Sequence, residues 1–153
     1  MKSTLPALLA ALAFVLCPPV QAHEHHDSHG PQKPTLNAGK KWETDAPLRQ
    51  AMDQINQAMA AALPRIHEKR FSETDYRGLA DTIGKSVGYA IENCKLQPEA
   101  DAVLHGVIAD LNGGAEAMAG KGDASRHAGA VKVLQALKSY GRYFDHPGWK
   151  AAG

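Results

Sequence analysis

The sequence has few aromatic residues, no excess of charge of one sign and almost no cysteine. Aromatic residues make up 6% of the 153 residues, which disfavours an all-β fold, because sheets are usually rich in aromatic and β-branched side chains. The 17 lysines and arginines balance 16 aspartates and glutamates without forming a basic run, so we expect no nucleic-acid partner. With 44% apolar residues, the composition indicates a small soluble α-helical domain.

Residues 1–22 have the pattern of a secretory signal peptide. Lys2 supplies the positive start, and the apolar run from Leu5 to Leu16 is too short to span a membrane. The small-x-small sequence Val20-Gln21-Ala22 suits signal peptidase, so we expect a periplasmic mature chain that begins at His23. No later stretch approaches the ~18 apolar residues of a membrane helix, and we therefore expect no membrane anchor after cleavage.

Cleavage leaves a single cysteine, because Cys17 lies in the signal and Cys94 lies in the body of the chain. An intramolecular disulfide is then impossible, and a lone thiol in an oxidising compartment needs an explanation. Three interpretations stay open for Cys94: a metal ligand, an inert core residue, or intermolecular pairing.

Residues 23–40 are predicted to form a flexible, His-rich tail, because their composition cannot bury a core. Four of the eight histidines lie within seven residues of this tail; they are His23, His25, His26 and His29. With His25 in the third mature position, the free α-amine, two backbone amides and the imidazole can form a square-planar nitrogen site. That geometry suits Cu(II) or Ni(II).

Residues 41–149 have the apolar periodicity of four amphipathic helices. The four stripes run from Leu48 to Leu63, Tyr76 to Cys94, Val103 to Met118, and Val131 to Phe144. The predicted helix starts are Thr44 or Asp45, Ser72, Pro98, and Asp123 or Ser125; Pro64 is expected to end or kink the first helix. No strand-like alternation competes, and the short links predict an antiparallel, up-down-up-down four-helix bundle.

The sequence offers no case for an enzyme. Gly84-Lys85-Ser86-Val87-Gly88 matches the G-x-S-x-G pattern, but it lies within a helical stripe and no strand precedes it, as a nucleophile elbow requires. The remaining residues suggest neither a carboxylate pair nor a Ser-His-Asp arrangement.

The expected topology brings Met52, Cys94 and His105 to one end of the bundle. Thioether, thiolate and imidazole ligands together suit Cu(I), and zinc is the second choice. Each residue also has a simpler role: Met52 as core filler, Cys94 as a buried thiol, and His105 on the flank of its helix. Asp101, one turn before His105, can orient the imidazole or only pair with it.

The layout resembles cytochrome b562, an exported four-helix bundle that holds haem between a methionine near the start of helix one and a histidine near the end of helix four. Met52 matches the first position, and His146 is the imidazole nearest the second, although Pro147 disfavours helical geometry for it. No Cys-x-x-Cys-His attachment motif is present. This resemblance implies a b-type haem electron carrier, with Met52 and His146 as axial ligands, as an alternative function.

Longer segments resemble a group of exported bacterial proteins labelled DnrO-like. The segments are Lys41–Arg49, Asn93–Asp101, Leu104-His105 and Tyr140–Trp149, so that the resemblance spans most of residues 36–149. It implies a periplasmic helical bundle and carries over no activity.

Three functions therefore remain open from the sequence. The first is periplasmic copper binding, storage or delivery, with a Cys94/Met52/His105 site in the bundle and the His-rich tail. The second is the haem carrier. The third is a structural module, in which aromatic residues close the bundle end and the binding partner is a periplasmic protein or a second copy of the chain.

Overall fold

A computed structural model describes residues 34–153. Its elements are β1 (Trp42–Glu43), α1 (Ala46–His67), α2 (Glu73–Asn93), α3 (Pro98–Ala119), α4 (Arg126–Tyr143) and β2 (Phe144–Asp145). The prediction of an all-α fold with four helices is confirmed for this part of the chain. The predicted signal peptide and His23, His25, His26 and His29 lie outside the described residues.

Local sequence signals set the helix limits. The Asp45 side chain caps α1 by accepting a hydrogen bond from the Leu48 backbone N–H, and the Ser125 side chain caps α4 in the same way. Ser72 and Asp75 form a reciprocal capping box at the start of α2. At the C-terminal end of α3, Gly120 takes the left-handed conformation (φ 84°) that ends many helices.

Two helix ends differ from the sequence prediction. Helix α1 continues past Pro64 to His67: the proline lacks one helical hydrogen bond, but its carbonyl still accepts from the Glu68 N–H at 3.1 Å. Helix α4 stops at Tyr143, and Phe144 and Asp145 instead pair in parallel with Trp42 and Glu43. The expectation of no strand was wrong, because strands of two residues are too short to show alternation in a sequence.

The core is formed by the inner faces of all four helices. Its largest fully buried side chains are Tyr140, Phe144, Leu48, Met52, Ile55, Met59, Ile83, Leu104, Leu111, Met118, Leu137 and Val133. Two residues of the predicted apolar stripes lie outside it: Ile91, in the stripe from Tyr76 to Cys94, is 60% exposed, and Val131 is 39% exposed. Each follows a buried alanine, Ala90 or Ala130, and one step along a helix turns the side chain by about 100°.

The helices pack unevenly around this core. Helices α3 and α4 approach so closely that a Cβ at Gly129 would lie 2.6 Å from the carbonyl oxygen of Gly114. Helices α1 and α4 contact each other at few positions, and the C-terminal segment joins them. Asn56 of α1 donates to the Lys150 carbonyl (2.8 Å) and accepts from the Ala152 N–H (2.7 Å).

Within residues 34–153, no helix is both long enough and apolar enough to cross a membrane.

Candidate metal-binding site

The start of α1 and the link between α2 and α3 meet at Asp45. One carboxylate oxygen of Asp45 accepts from the Leu48 N–H at 2.9 Å, and the other accepts from the Lys95 N–H at 2.6 Å. Cys94, which directly precedes Lys95, is the C-cap residue of α2. The carboxylate of Asp45 therefore holds the backbone beside Cys94 against the N-terminus of α1.

The Cys94 thiol is half-buried and lies near two carboxylates. Burial raises the pKa of this thiol, and the negative charges of Asp45 and Asp101 raise it further. The thiol therefore stays protonated at neutral pH, which slows its oxidation, because the thiolate is the reactive form. A metal ion bound by Cys94 would have to displace this proton.

His105 is exposed on α3, one turn after Asp101. Its Nδ1 atom lies 2.8 Å from the Asp101 carbonyl oxygen and 3.4 Å from the Asp101 carboxylate. Two oxygen neighbours place the proton on Nδ1, so that the lone pair is on Nε2. Metal-binding histidines are commonly oriented in this way by an oxygen on the other ring nitrogen. The geometry thus agrees with the orienting role considered for Asp101.

A groove of about 1030 Å³ lies between the first half of α3 and the segment at residues 34–38. Its lining includes Trp42, Asp101 and His105. The indole Nε1–H of Trp42 donates to the Thr35 carbonyl at 2.7 Å, and backbone bonds between Asn37 and Lys40 close a tight turn. Residues 34–38, with which the described part of the chain begins, therefore lie beside His105 and Asp101.

The three predicted bundle ligands have different surroundings. Asp101 contacts His105, and its negative charge contributes to raising the pKa of Cys94. Met52 is instead packed in the core and is 2% exposed. Among residues 34–153, no three or more histidine, cysteine, aspartate and glutamate side chains are grouped so that they could hold a metal ion.

His146, the candidate haem ligand, is buried after β2 with a side-chain exposure of 6%. Its Nδ1 lies 3.0 Å from the Tyr140 hydroxyl and its Nε2 lies 3.5 Å from the Asp53 carboxylate. Burial lowers the pKa of His146, and Asp53 and Arg49 act on it in opposite directions, the first raising it and the second lowering it further. The lowered pKa favours the neutral ring at neutral pH, and the Asp53 carboxylate beside Nε2 favours the tautomer that donates from Nε2 and accepts from the Tyr140 hydroxyl at Nδ1. An axial haem bond would require one of these two partners to leave.

Aromatic rings enclose this histidine. Trp149 lies 4.7 Å from Tyr140 and 5.0 Å from His146, measured between ring centroids. Tyr140 is fully buried, and burial strongly raises the pKa of its hydroxyl. The Trp149 Nε1–H is buried and finds no hydrogen-bond partner within residues 34–153. The sequence expectation that aromatic residues close this bundle end agrees with these contacts.

Asp53 is the member of this cluster that sequence reasoning missed. It lies on the polar flank of α1, next to the core residue Met52, where an aspartate is usually no more than a solvated surface residue. No local pattern links it to His146, which lies far away along the chain.

A scan of protein-family models, a search of curated proteins and a search of solved structures found no match to this chain.

Proposed function

We propose that this chain is a periplasmic copper-binding protein, exported by a cleaved signal peptide and folded as an antiparallel up-down-up-down bundle. The observation that carries the proposal is the His105 side chain, which is 72% exposed and whose Nδ1 lies 2.8 Å from the Asp101 carbonyl oxygen. The negative charge of Asp101 also acts on the Cys94 thiol. The same carboxylate therefore influences both candidate ligands of the bundle.

Contacts between helix ends support the antiparallel arrangement. Asp45 at the start of α1 binds Lys95 after the end of α2. Glu73 at the start of α2 pairs with Arg126 at the start of α4 at 3.1 Å. These pairs agree with alternating helix directions, which place α1 and α3 in one direction and α2 and α4 in the other.

The two regions suit two oxidation states of copper. A mature amino terminus at His23 offers Cu(II) the α-amine, two amides and the His25 ring. Cys94 and His105 offer the soft and intermediate ligands that Cu(I) prefers, and zinc is the alternative ion at this pair. The haem function has no comparable support, because both ring nitrogens of His146 face protein partners.

The test compares the mature chain with a variant that carries one extra glycine before His23. The extra residue moves His25 from the third to the fourth position and leaves every histidine in place. We expect Cu(II) affinity to fall more than about tenfold, equivalent to ~1.4 kcal/mol or more. The measurement is a competition titration against a chelator of known affinity, after mass spectrometry has verified the amino-terminal residue.

A Cu(I) titration of Cys94→Ser forms the second arm of the same experiment. Loss of one tight Cu(I) equivalent is expected, because serine removes the thiolate and leaves a similar volume. If the mature chain binds neither Cu(II) nor Cu(I) more tightly than a histidine-free unrelated bundle, copper binding is not its function.

A further inference from the structure

The groove between α3 and the segment at residues 34–38 has the size of a small-molecule site. Its volume is about 1030 Å³, which is at the upper end of the range for pockets that bind drug-sized ligands. Ser139 of α4 also belongs to the lining, so that three parts of the chain surround one space. Of the lining residues, the proposed copper function uses only His105 and Asp101.

Apolar side chains form a large part of this groove. Those larger than alanine are Pro34, Leu36, Trp42, Pro98, Val103 and Val107. Leu36 is 41% exposed, so that an apolar ligand beside it would remove more of its surface from water. At Gly106, which also lines the groove, a Cβ atom would meet no atom of residues 34–153 within 4 Å. An apolar group can therefore enter here without displacing a side chain of α3.

The wall that carries Leu36 is held in place by its neighbours. The buried Trp42 indole donates to the Thr35 carbonyl at 2.7 Å. Asn37 and Lys40 exchange two backbone hydrogen bonds, at 2.8 and 2.9 Å. These contacts fix the chain on both sides of Leu36. A wall that is ordered before binding lowers the entropic cost of holding a ligand.

The charge of the lining is negative. The groove contains the carboxylates of Glu99, Asp101 and Asp110 and, among the described residues, no lysine or arginine. Lys132 lies 3.4 Å from Asp110 and offsets that charge. Asp101 lies 3.4 Å from the His105 ring. The lining attracts a cation and repels an anion, and we expect Glu99 to be the carboxylate that pairs with it.

We infer that this groove binds an amphipathic organic cation, that is, a small molecule with an apolar body and a protonated amine. The amine pairs with Glu99, and the apolar body packs between Leu36 and α3 at Gly106. Glu99 and Gly106 are seven residues apart and therefore lie on one helix face, about 10 Å apart along the axis. The ligand must be long enough to span that distance. This inference goes beyond copper binding and does not depend on it.

The experiment follows the backbone amide signals of the isotope-labelled full mature chain by NMR while octylammonium chloride is added below its micelle-forming concentration. A chelator keeps the protein free of metal, so that copper contributes nothing to the signal. Two further ligands separate charge from apolar surface. Octanoate carries a similar chain with a negative charge, and ethylammonium carries the positive charge with almost no chain.

We expect octylammonium to shift the amide signals of Leu36 and Gly106 in a saturable way. Octanoate should bind about threefold more weakly or worse, because it exchanges the attraction of a surface ion pair for a repulsion. Ethylammonium should shift these signals far less at the same concentration, because it buries almost no apolar surface.

Two glycine variants test where the ligand binds. Gly106→Leu places a side chain in the open space of the groove, and we expect octylammonium to bind more than about tenfold more weakly. Gly78→Leu is the matched control, because Gly78 is exposed in α2, lies outside the groove and likewise has open space around a Cβ atom. Leucine has a higher helix propensity than glycine, so that both variants should unfold at or above the parental temperature.

Two glutamate variants test the charge. Glu99→Gln keeps the shape of the side chain and should weaken octylammonium binding about two- to fivefold, the range expected for a surface ion pair. Glu92→Gln, at an exposed position of α2 outside the groove, should bind as the parent does.

Equal binding of octylammonium and octanoate would overturn the inference, and so would equal binding by Gly106→Leu and Gly78→Leu or the absence of any saturable shift. If the groove amides shift with protein concentration and not with octylammonium, a second copy of the chain covers the groove and the inference is wrong. The copper titrations decide the proposed copper function separately, because the NMR experiment is performed without metal.

Discussion

Gly141 lies in α4 where the indole of Trp149 rests on the helix. A Cβ atom at this position would lie 2.6 Å from both Cδ1 and Nε1 of Trp149, which is closer than packed atoms tolerate. Gly84 in α2 is a useful contrast, since a Cβ there would meet nothing within 4 Å. The two glycines look alike in sequence, each inside a helix, and differ only in what packs against them.

Alanine at these two positions should change the free energy of unfolding in opposite directions. Gly141→Ala is expected to lower it by about 1–3 kcal/mol, because the indole must be displaced from the aromatic cluster. Gly84→Ala should raise it by about 0.5–1 kcal/mol, because alanine loses less backbone entropy in a helix. Urea denaturation of both variants measures the difference. A stabilising Gly141→Ala would show that Trp149 does not pack against α4.

The start of α1 depends on a residue with two separate structural roles. The sequence predicts Asp45 as a helix cap, and one oxygen of its side chain does cap α1. The second oxygen binds the Lys95 N–H across the bundle, and no sequence pattern indicates that contact. The same carboxylate also raises the pKa of the Cys94 thiol, so that α1, the α2–α3 link and the thiol are joined at one side chain.

Asp45→Ala should therefore cost more than the loss of an ordinary cap. We expect the free energy of unfolding to fall by about 1–3 kcal/mol, since the cap and the hydrogen bond from the Lys95 N–H are both lost. Ser125→Ala is the matched control, because Ser125 only caps α4 and its loss should cost ~1 kcal/mol. Thermal or urea unfolding measures both values. Equal losses would mean that the bond to Lys95 adds no stability.

The whole bundle is closed by its C-terminal segment rather than by direct packing of α1 on α4. Asn56 holds the backbone at Lys150 and Ala152, and His146 spans from Asp53 to Tyr140. Since burial lowers the pKa of His146, the closed bundle favours the neutral form of this imidazole. Folding is thus linked to the protonation state of His146.

The free energy of unfolding should fall as the pH decreases below the ordinary histidine value of 6.5. The lowered pKa of His146 in the folded protein means that the unfolded chain binds the proton first, so that stability is full above 6.5 and is lost below it. Asp75, with a pKa lowered to about 2 from 3.8, adds its own loss only as the pH falls below about 4.

Urea unfolding at a series of pH values between 7 and 5 measures this dependence. His146→Gln should show a smaller slope than the parent over the same range, because glutamine does not titrate. His67→Gln, at an exposed position, should keep the parental slope. An unchanged slope in His146→Gln would place the pH dependence elsewhere in the molecule.

Local signals in the sequence account for the four helices and their limits. Asp45, Ser72 and Ser125 cap helices, Pro98 begins one and Gly120 ends one, because these effects act within a few residues of the chain. The apolar periodicity likewise indicates most of the core, since the apolar face of an amphipathic helix packs towards the protein interior.

Contacts between distant parts of the chain account for the rest. The pairing of β1 with β2, the burial of His146 between Asp53 and Tyr140, and the fit of Trp149 on Gly141 each join segments that are far apart in sequence. Their side chains have no fixed relation until the helices pack. The position of Thr35 beside α3 is set in the same way by the buried Trp42 indole.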